Sequence, residues 1–172
     1  WTAGALLFDG AATHGTVTDT NNQVFDAGSG DLLLEAYMKS SDGGPIVSKG
    51  GSSGYMLDIT GSGKARLTLM GYSLSSAADV MDGQWHHIVA DLDRSAGKVN
   101  MYVDGESSNG NSSGSIPASV GNSSSFYVGR DGDSYFKGVI DFARVAKASF
   151  AEGATSIEEL YAWQFDGPFL RD

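Results

Sequence analysis

Two short segments constrain the fold most. Asp82–Ala90 reads Asp-Gly-Gln-Trp-His-His-Ile-Val-Ala, and Met101–Gly105 reads Met-Tyr-Val-Asp-Gly. The first is typical of a turn followed by a strand, and the second of a strand that ends in an Asp-Gly hairpin turn. Between them, Asp93–Gly97 predicts a further turn and leaves no room for a helix. This order of turns and strands predicts one hairpin of a large antiparallel sheet.

Short apolar or alternating segments bounded by Gly, Asn, Asp or Ser recur along the 172 residues. A spacing near ten residues is typical of an all-β sandwich or barrel, and the 24 glycines and 3 prolines fit many tight turns. Within Tyr55–Ile59, alternate residues share one face and Asp58 points to the other. Leu32–Leu34 is apolar on both faces, which predicts a central strand. The predicted strands are Ala5–Phe8, Leu32–Met38, Ile46–Ser48, Tyr55–Ile59, Ala65–Met70, Trp85–Leu92, Val99–Val103, Phe126–Val128 and Val139–Val145.

One helix is predicted near the C-terminus. Ser156 and Glu159 fit a capping box, with Ser156 as the N-cap and Glu159 reaching back to it. The helix is expected to pack its apolar side on the sandwich and to end near Trp163, with contributions from Ile157, Leu160 and Tyr161. The run Glu106–Ser125, rich in Ser, Gly and Asn, predicts a solvated loop, with contact to a ligand as the alternative.

The charge of the chain argues against two classes of partner. The net charge is −10 and the isoelectric point is near 4.5, which opposes binding to nucleic acid and to anionic membranes. No stretch approaches the roughly 18 apolar residues that a spanning helix needs. The chain has no cysteine, so it contains neither disulfides nor thiolate metal sites.

The motifs, taken in order, resemble the laminin G-like, concanavalin A-like jelly-roll superfamily, and within it the bacterial, pentraxin-like branch. The resemblance covers nearly the whole chain and implies an all-β, two-sheet antiparallel jelly-roll sandwich with one short C-terminal helix. The matching segments are Phe8–Gly10, Leu34–Lys39, Ile46–Gly50, Gly54–Leu57, Asp82–His87, Tyr102–Gly105, Tyr127–Gly129, Gly138–Val145 and Glu158–Tyr161.

The resemblance implies a single domain over residues 1–172, and we expect it to be a module of a longer chain. Because both binding proteins and hydrolases have this fold, the function has to be inferred from the side chains of the candidate site and not from the fold. We expect a non-catalytic module on an extracellular or surface-exposed protein of bacterial, archaeal or viral origin, and its expected partner is a glycan or a surface protein. The alternative is a structural or adhesion subunit of a virion, cell-surface layer or filament, which would self-assemble.

A catalytic site is not predicted. Glycoside hydrolases need two carboxylates on one face of a strand, and the nearest pattern is Asp91-Leu92-Asp93 at a strand end. Glu35 has no acidic neighbour on its strand. His86 and His87 are expected to point to opposite faces and to serve the structure, and Trp85 is expected to be a core anchor.

Calcium is the one cofactor that the resemblance implies, as a structural ion where the first and last strands meet. The ligands would be Asp9 and Asp141, since calcium binds carboxylate and carbonyl oxygens. Asp141 stands among apolar residues and needs a partner if it is buried, for which Arg144 is the competing candidate. The loops Asp26–Asp31 and Asp131–Asp133 are further candidates.

Glycan recognition requires aromatic faces together with polar side chains. The segment Gly129–Tyr135 supplies both, and the resemblance places it at the rim of the sandwich. The same residue types also suit a protein partner. The predicted ligand-binding residues are Arg130, Asp131, Asp133 and Tyr135 in this segment, together with Tyr55 and Tyr72.

Overall fold

The computed structural model describes residues 4–19, 24–153 and 156–159. The described residues include the short helix α1 (Phe150–Gly153), three further helical residues at 157–159, and a 3₁₀ turn, Gly51–Ser53. The strands are β1 (Leu6–Asp9), β2 (Gly15–Val17), β3 (Leu32–Lys39), β4 (Gly44–Lys49), β5 (Tyr55–Ile59), β6 (Lys64–Leu69), β7 (Tyr72–Asp79), β8 (Trp85–Asp93), β9 (Lys98–Val103), β10 (Glu106–Ser107), β11 (Asn109–Ser113), β12 (Phe126–Val128), β13 (Arg130–Asp131), β14 (Ser134–Tyr135) and β15 (Lys137–Ala146).

The strands form two antiparallel sheets and a small separate hairpin, β13–β14. The first sheet has the order β1-β15-β3-β8-β9-β10, and the second has the order β11-β7-β6-β5-β4-β12-β2. The predicted two-sheet sandwich is therefore confirmed, with β3 as a central strand and the first and last strands paired. No helix in the described ranges is long and apolar enough to cross a membrane.

The core lies between the inner faces of the two sheets. Leu34, Ala36 and Met38 of β3 face it from the first sheet, and Leu57 and Leu67 face it from the second, all with at most 1% of their surface exposed. Burying a Leu or Met side chain contributes about 1.5–3 kcal/mol. The period-two pattern of these strands therefore fixes which side chains are left on the outer faces.

The two signature segments form the turns and strands predicted for them. Asp93 pairs with Lys98 across the β8–β9 turn, and Val103 pairs with Glu106 across the Asp104–Gly105 turn. Asp104 and Gly105 both have positive φ, 54° and 82°, which is the type I′ geometry that a two-residue hairpin favours.

His86 lies between two carboxylates at one end of this hairpin. Its Nδ1 is 2.8 Å from Asp104 Oδ2 and its Nε2 is 3.0 Å from Asp82 Oδ1. The neighbouring ring, His87, contacts Glu35 instead, with Nε2 2.7 Å from Oε1. The two histidines therefore engage different carboxylates, as their alternation along the strand predicts.

Two regions differ from the sequence-based expectation. Glu106–Ser125 is not only a loop, because it contains the fully exposed strand β11, which pairs with β7. Neither strand was predicted: β11 has no apolar residue, and serines interrupt the alternation of β7. Backbone pairing at a sheet edge needs no hydrophobic pattern, so the pattern could not reveal it.

The short helix α1 was not predicted, and it precedes the predicted C-terminal helix, of which residues 157–159 are described and helical. The predicted capping box is nevertheless present. The Ser156 N–H donates to Glu159 Oε2 at 3.2 Å, and the Glu159 N–H donates to Ser156 Oγ at 3.3 Å. The predicted end near Trp163, with Leu160 and Tyr161, lies outside the described residues.

Lys49 is a buried cation with a complete set of acceptors. Its Nζ donates to Asp19 Oδ2, Asn122 O and Ser124 O at 2.7–2.9 Å, and its side chain is 1% exposed. We expect Lys49→Met to lower the free energy of unfolding by about 3 kcal/mol, because it leaves a largely buried carboxylate without its partner. Urea denaturation measures the change.

Lys64 provides the matched control on the same sheet. Its ion pair with Asp79 is largely solvated, so Lys64→Met is expected to change the free energy of unfolding by less than about 1 kcal/mol. Equal effects of the two substitutions would contradict the stabilising role of the Lys49 contacts.

The stability of the protein is expected to fall as pH rises above about 6.5, through His86. Burial opposes the charged ring, but the hydrogen bonds that the ring donates to Asp104 and Asp82 outweigh it, and the pKa of His86 is raised. A raised native pKa stabilises the fold below the unfolded pKa and loses that contribution as pH passes the native value. His86→Gln should flatten the dependence of unfolding free energy on pH in this window. An NMR titration that places the His86 pKa below that of free histidine would contradict the prediction.

Candidate functional site

The hairpin β13–β14 projects from the rim of the sandwich and is fixed to β4. The Gly129 N–H donates to Ile46 O at 2.8 Å, and Ser48 Oγ donates to Arg130 O at 2.7 Å. Gly132 has a φ of 56°, which suits the tight turn at the tip. The hairpin root is therefore tied to a buried strand while its side chains remain partly or fully exposed.

Arg130 lies beside two tyrosine rings on one side of this hairpin. Arg130 and Tyr135 are register partners, so their side chains share a side. The guanidinium carbon is 5.5 Å from the Tyr135 ring centroid and 5.3 Å from that of Tyr127. Contacts at this distance hold the cation electrostatically against both rings. The Arg130 Nε–H also donates to Gly132 O at 2.8 Å.

His14 completes the group from the loop before β2. Its Nδ1 is 2.7 Å from Ala12 O, and because a carbonyl only accepts, Nδ1 carries the proton. Its Nε2 therefore accepts from Arg130 Nη1 at 3.3 Å. Its ring centroid is 6.1 Å from that of Tyr127 and 5.9 Å from that of Tyr135. We call His14, Tyr127, Arg130 and Tyr135 the hairpin cluster.

The hairpin cluster leaves hydrogen-bonding capacity for a ligand. A guanidinium has five N–H groups, and the contacts of Arg130 with Gly132 and His14 engage Nε and one N–H of Nη1. The remaining N–H groups can donate to hydroxyl or carboxylate oxygens, and the half-buried tyrosines offer aromatic surface beside them. His14 and Tyr127 were not predicted, since only the pairing of β12 with β2 brings them to Arg130.

The two acidic residues of the segment lie away from this cluster. Asp131 points to the opposite side of the hairpin, where its carboxylate packs against Gly51; a Cβ at that glycine would lie 2.6 Å from Asp131 Oδ2. Asp131 also faces Asp58, and burial together with this charge raises the pKa of Asp58 against the opposing effect of Arg66. Asp133 is exposed at the tip.

Tyr55 and Tyr72 are core residues, which corrects their assignment to a ligand surface. Tyr55 is fully buried and donates its hydroxyl to Phe25 O at 2.7 Å, and burial raises its pKa. Tyr72 is 9% exposed and belongs to the same apolar cluster. Both rings lie on the inner face of the second sheet, so neither offers an open face to a sugar.

Asp9 and Asp141 do not fit a shared calcium site. Asp9 is the register partner of Lys137, so Asp141 lies four residues further along β15, about 14 Å away at about 3.4 Å per residue. Asp9 Oδ1 accepts N–H groups from Ala11, Ala12 and Thr13, each at 2.9 Å, and these bonds hold the pKa of Asp9 well below its usual range. In the described part of the chain, no cluster of three or more His, Asp or Glu side chains is arranged to hold a metal ion.

The alternative prediction, that a buried Asp141 forms an ion pair with Arg144, is also wrong. Asp141 is exposed beside a bulge in β15, so its carboxylate needs no internal partner. Arg144 pairs instead with Glu35, Nη2 to Oε2 at 2.5 Å. Glu35 therefore lies between Arg144 and His87 on the outer face of the first sheet.

The other carboxylate considered for catalysis, Asp91, is also engaged internally. Its Oδ1 accepts the N–H of Phe150 at 3.1 Å, and its surface is 3% exposed. Burial raises its pKa to about 6, and the charges of Asp93 and Asp31 add to the effect. Glu35, which lies on the same outer face, is likewise 3% exposed.

Trp85 is a surface residue rather than the predicted core anchor. It is 37% exposed, and its ring stacks on Tyr37 with centroids 4.8 Å apart. It lies beside Lys39, its register partner on the outer face of the first sheet. The apolar character of Trp85 suggested the core, but its register places it outside.

Comparison with solved structures shows the same fold at low sequence identity. The carbohydrate-binding module CBM40 of the Ruminococcus gnavus IT-sialidase, bound to α2,3-sialyllactose, superposes with a TM-score of 0.70 at 16% identity, over 92% of this chain and 95% of that one. Domains LG4-5 of the mouse laminin α1 chain give 0.62 at 17%, over 85% and 46%. The heptameric SAP-like pentraxin of Limulus polyphemus gives 0.60 at 13%, over 91% and 79%.

The chain spans less than half of the laminin structure, and no curated protein matches it by sequence. A family model described as the concanavalin A-like lectin/glucanases superfamily, of laminin G type, matches residues 9–152. That match takes in both sheets and the hairpin cluster. The chain therefore belongs to the concanavalin A-like lectin/glucanase superfamily.

Proposed function

We propose that this domain is a non-catalytic carbohydrate-binding module that binds its glycan at the hairpin cluster. The observation that carries the proposal is Arg130, whose guanidinium lies beside two partly exposed tyrosine rings and retains N–H donors. Sugars present hydroxyl oxygens at their edges and C–H groups on their faces. A fixed guanidinium next to aromatic surface can meet both.

The cluster is pre-organised, which favours binding. Arg130 is held by Gly132, His14 and both rings, and the backbone of the hairpin is tied to β4. Ordering a free arginine on binding costs side-chain entropy, whereas a side chain already in place avoids most of that cost. The similarity in fold to a module bound to sialyllactose supports the same class of ligand.

The contacts of the two carboxylates considered for catalysis support a non-catalytic role. Glu35 is occupied by His87 and Arg144, and Asp91 by the backbone of Phe150. Both carboxylates are almost fully buried, so neither can protonate or attack a glycosidic bond without displacing these partners.

We propose further that residues 1–172 act as one extracellular or surface-exposed module of a longer protein. The superposition on nearly the whole of CBM40 supports this.

One observation favours the structural or adhesion alternative. The edge strand β1 carries two exposed leucines, Leu6 at 63% and Leu7 at 72%. An exposed apolar edge strand can pair with a second copy. Sedimentation velocity tests this: a concentration-dependent dimer lost in Leu6→Lys would support self-assembly, and a monomer at all concentrations would reject it.

Substitutions in the hairpin cluster are expected to weaken glycan binding without unfolding the domain. Arg130→Gln and Tyr135→Ala should each reduce the affinity about tenfold, because each removes a charged hydrogen bond or an aromatic contact. A glycan array identifies the ligand, and calorimetry then measures the affinities. The melting temperature should stay close to that of the wild type, since partly exposed loop side chains contribute little to stability.

Two controls lie on the other side of the same hairpin. Asp131→Asn and Ser134→Ala change side chains that are register partners facing away from the cluster, so both should bind the glycan like the wild type. If Asp131→Asn weakens binding and Tyr135→Ala does not, the glycan lies on the Gly51 side. If the wild type binds no glycan, the proposed function is wrong.

A further inference from the structure

A pocket of about 450 Å³ lies at the end of the first sheet that is formed by β1, β15 and β3. It is separate from the hairpin cluster, since none of that cluster's side chains lines it. Apolar, hydroxyl and charged residues share its wall. The lining residues are Leu7, Phe8, Asp9, Lys39, Ser40, Ser41, Asp42, Gly83, Lys137, Gly138 and Val139.

Strand register brings two lysines to the same wall. Val139 pairs with Lys39 on one side and with Leu7 on the other, so these three side chains form a row across the outer face. Lys137 is two residues from Val139 and is therefore the diagonal neighbour of Lys39, a spacing of about 7–8 Å. Two long, flexible ammonium side chains at that spacing can reach one anion between them.

The charges of the pocket are unevenly compensated. The Lys39 ammonium contacts the Trp85 ring, 5.8 Å from its centroid, and no carboxylate of the described residues lies within ion-pair distance of it. Lys137 has only a long contact to Asp42, 3.8 Å, and both side chains are well exposed. Asp9, the register partner of Lys137, accepts three N–H groups at its Oδ1 alone and keeps its negative charge. The two lysines and the two aspartates of the lining balance formally, and Lys39 is the cation among them that has no carboxylate of the described residues at ion-pair distance to meet an incoming anion.

We propose that this pocket binds an acidic sugar residue, with its anionic group between Lys39 and Lys137 and its C–H face on Leu7 and Val139. The exposed leucine and the valine provide an aliphatic surface beside the two charges. Ser41, also in the lining, supplies a hydroxyl that can bond to a sugar hydroxyl. This inference rests on the proposed function because it takes the ligand to be a sugar. It does not depend on the hairpin cluster being the place where that sugar binds.

The anionic group of the sugar can be a carboxylate or a sulfate. Lysine binds both, because its ammonium group has no fixed geometry that favours one of them. The probes are therefore glucuronate, glucose 6-sulfate and neutral glucose, added to the full chain. The signal of the Trp85 indole N–H, assigned with Trp85→Phe, reports on the site, because an anion at Lys39 changes the environment of that ring. NMR titration gives the affinity of each probe.

We expect at least one acidic sugar to shift the Trp85 signal and glucose to leave it unchanged. Lys39→Met and Lys137→Met should each weaken that binding about tenfold, and higher salt should weaken it in the wild type. Lys39→Arg, which keeps the charge, should retain most of the affinity. Lys98→Met, an exposed lysine on β9 of the same sheet, is the matched control and should have no effect.

Three results would overturn the proposal: glucose binding as strongly as the acidic sugars, unchanged affinity in a folded Lys39→Met variant, or no shift of Trp85 with either anion. The hairpin variant Tyr135→Ala separates this proposal from the previous one. If a glycan binds and is lost only in Tyr135→Ala, the pocket proposal fails and the proposed function stands. If acidic sugars bind at Lys39 while Tyr135→Ala has no effect on any glycan, the hairpin cluster fails and the pocket stands.

Discussion

The pairing of the last strand, β15, between β1 and β3 is the constraint on which both candidate sites depend. It joins residues near 8 to residues near 138, which are far apart in sequence. The Phe8 ring then packs so closely on Gly129 that a Cβ there would lie 2.3 Å from Phe8 Cδ1, and it meets Phe136 edge to face. Glycine at 129, with a φ of 76°, is therefore required both by space and by backbone conformation. The hairpin starts directly after this contact, and the pocket lies beside it.

The distribution of charge explains why the hairpin cluster and the pocket are the candidate ligand sites. Two deeply buried ions are matched by opposite charges inside the protein, Lys49 by Asp19 and Glu35 by Arg144 and His87. A buried ion left without such a partner costs several kcal/mol, which is why these contacts matter for stability. Arg130 and Lys39 differ from the buried ions because both contact aromatic rings. No carboxylate of the residues that the structure describes forms an ion pair with either side chain, which leaves the charge available to an incoming oxygen.

Much of the fold was predictable because burial imposes a period of two. Tyr55–Ile59 and Phe126–Val128 were predicted with the bounds that the structure has, and β3 and β8 differ by one residue. The sites were less predictable, since register and tertiary pairing decide which side chains meet. The residue types of the segment were enough to predict Arg130 and Tyr135, but His14 lies beside them only because β2 pairs with β12. The predicted calcium ligands Asp9 and Asp141 lie apart because of the register between β1 and β15. Tyr55 and Trp85 were each assigned to the wrong environment, because an aromatic residue suits a core and a surface equally well.

Phe136 shows why the two sites have to be tested with substitutions of exposed side chains and not of the buried residue between them. It is fully buried, its N–H donates to Gly129 O, and its carbonyl accepts from the Gly10 N–H, both at 3.0 Å. It separates Tyr135 of the hairpin cluster from Lys137 of the pocket, so it positions both. Truncating a buried phenylalanine costs about 3–5 kcal/mol, enough to unfold a marginally stable domain. Loss of binding in such a variant would report on folding, whereas substitutions at Tyr135 and Lys39 leave this anchor intact and report on each site alone.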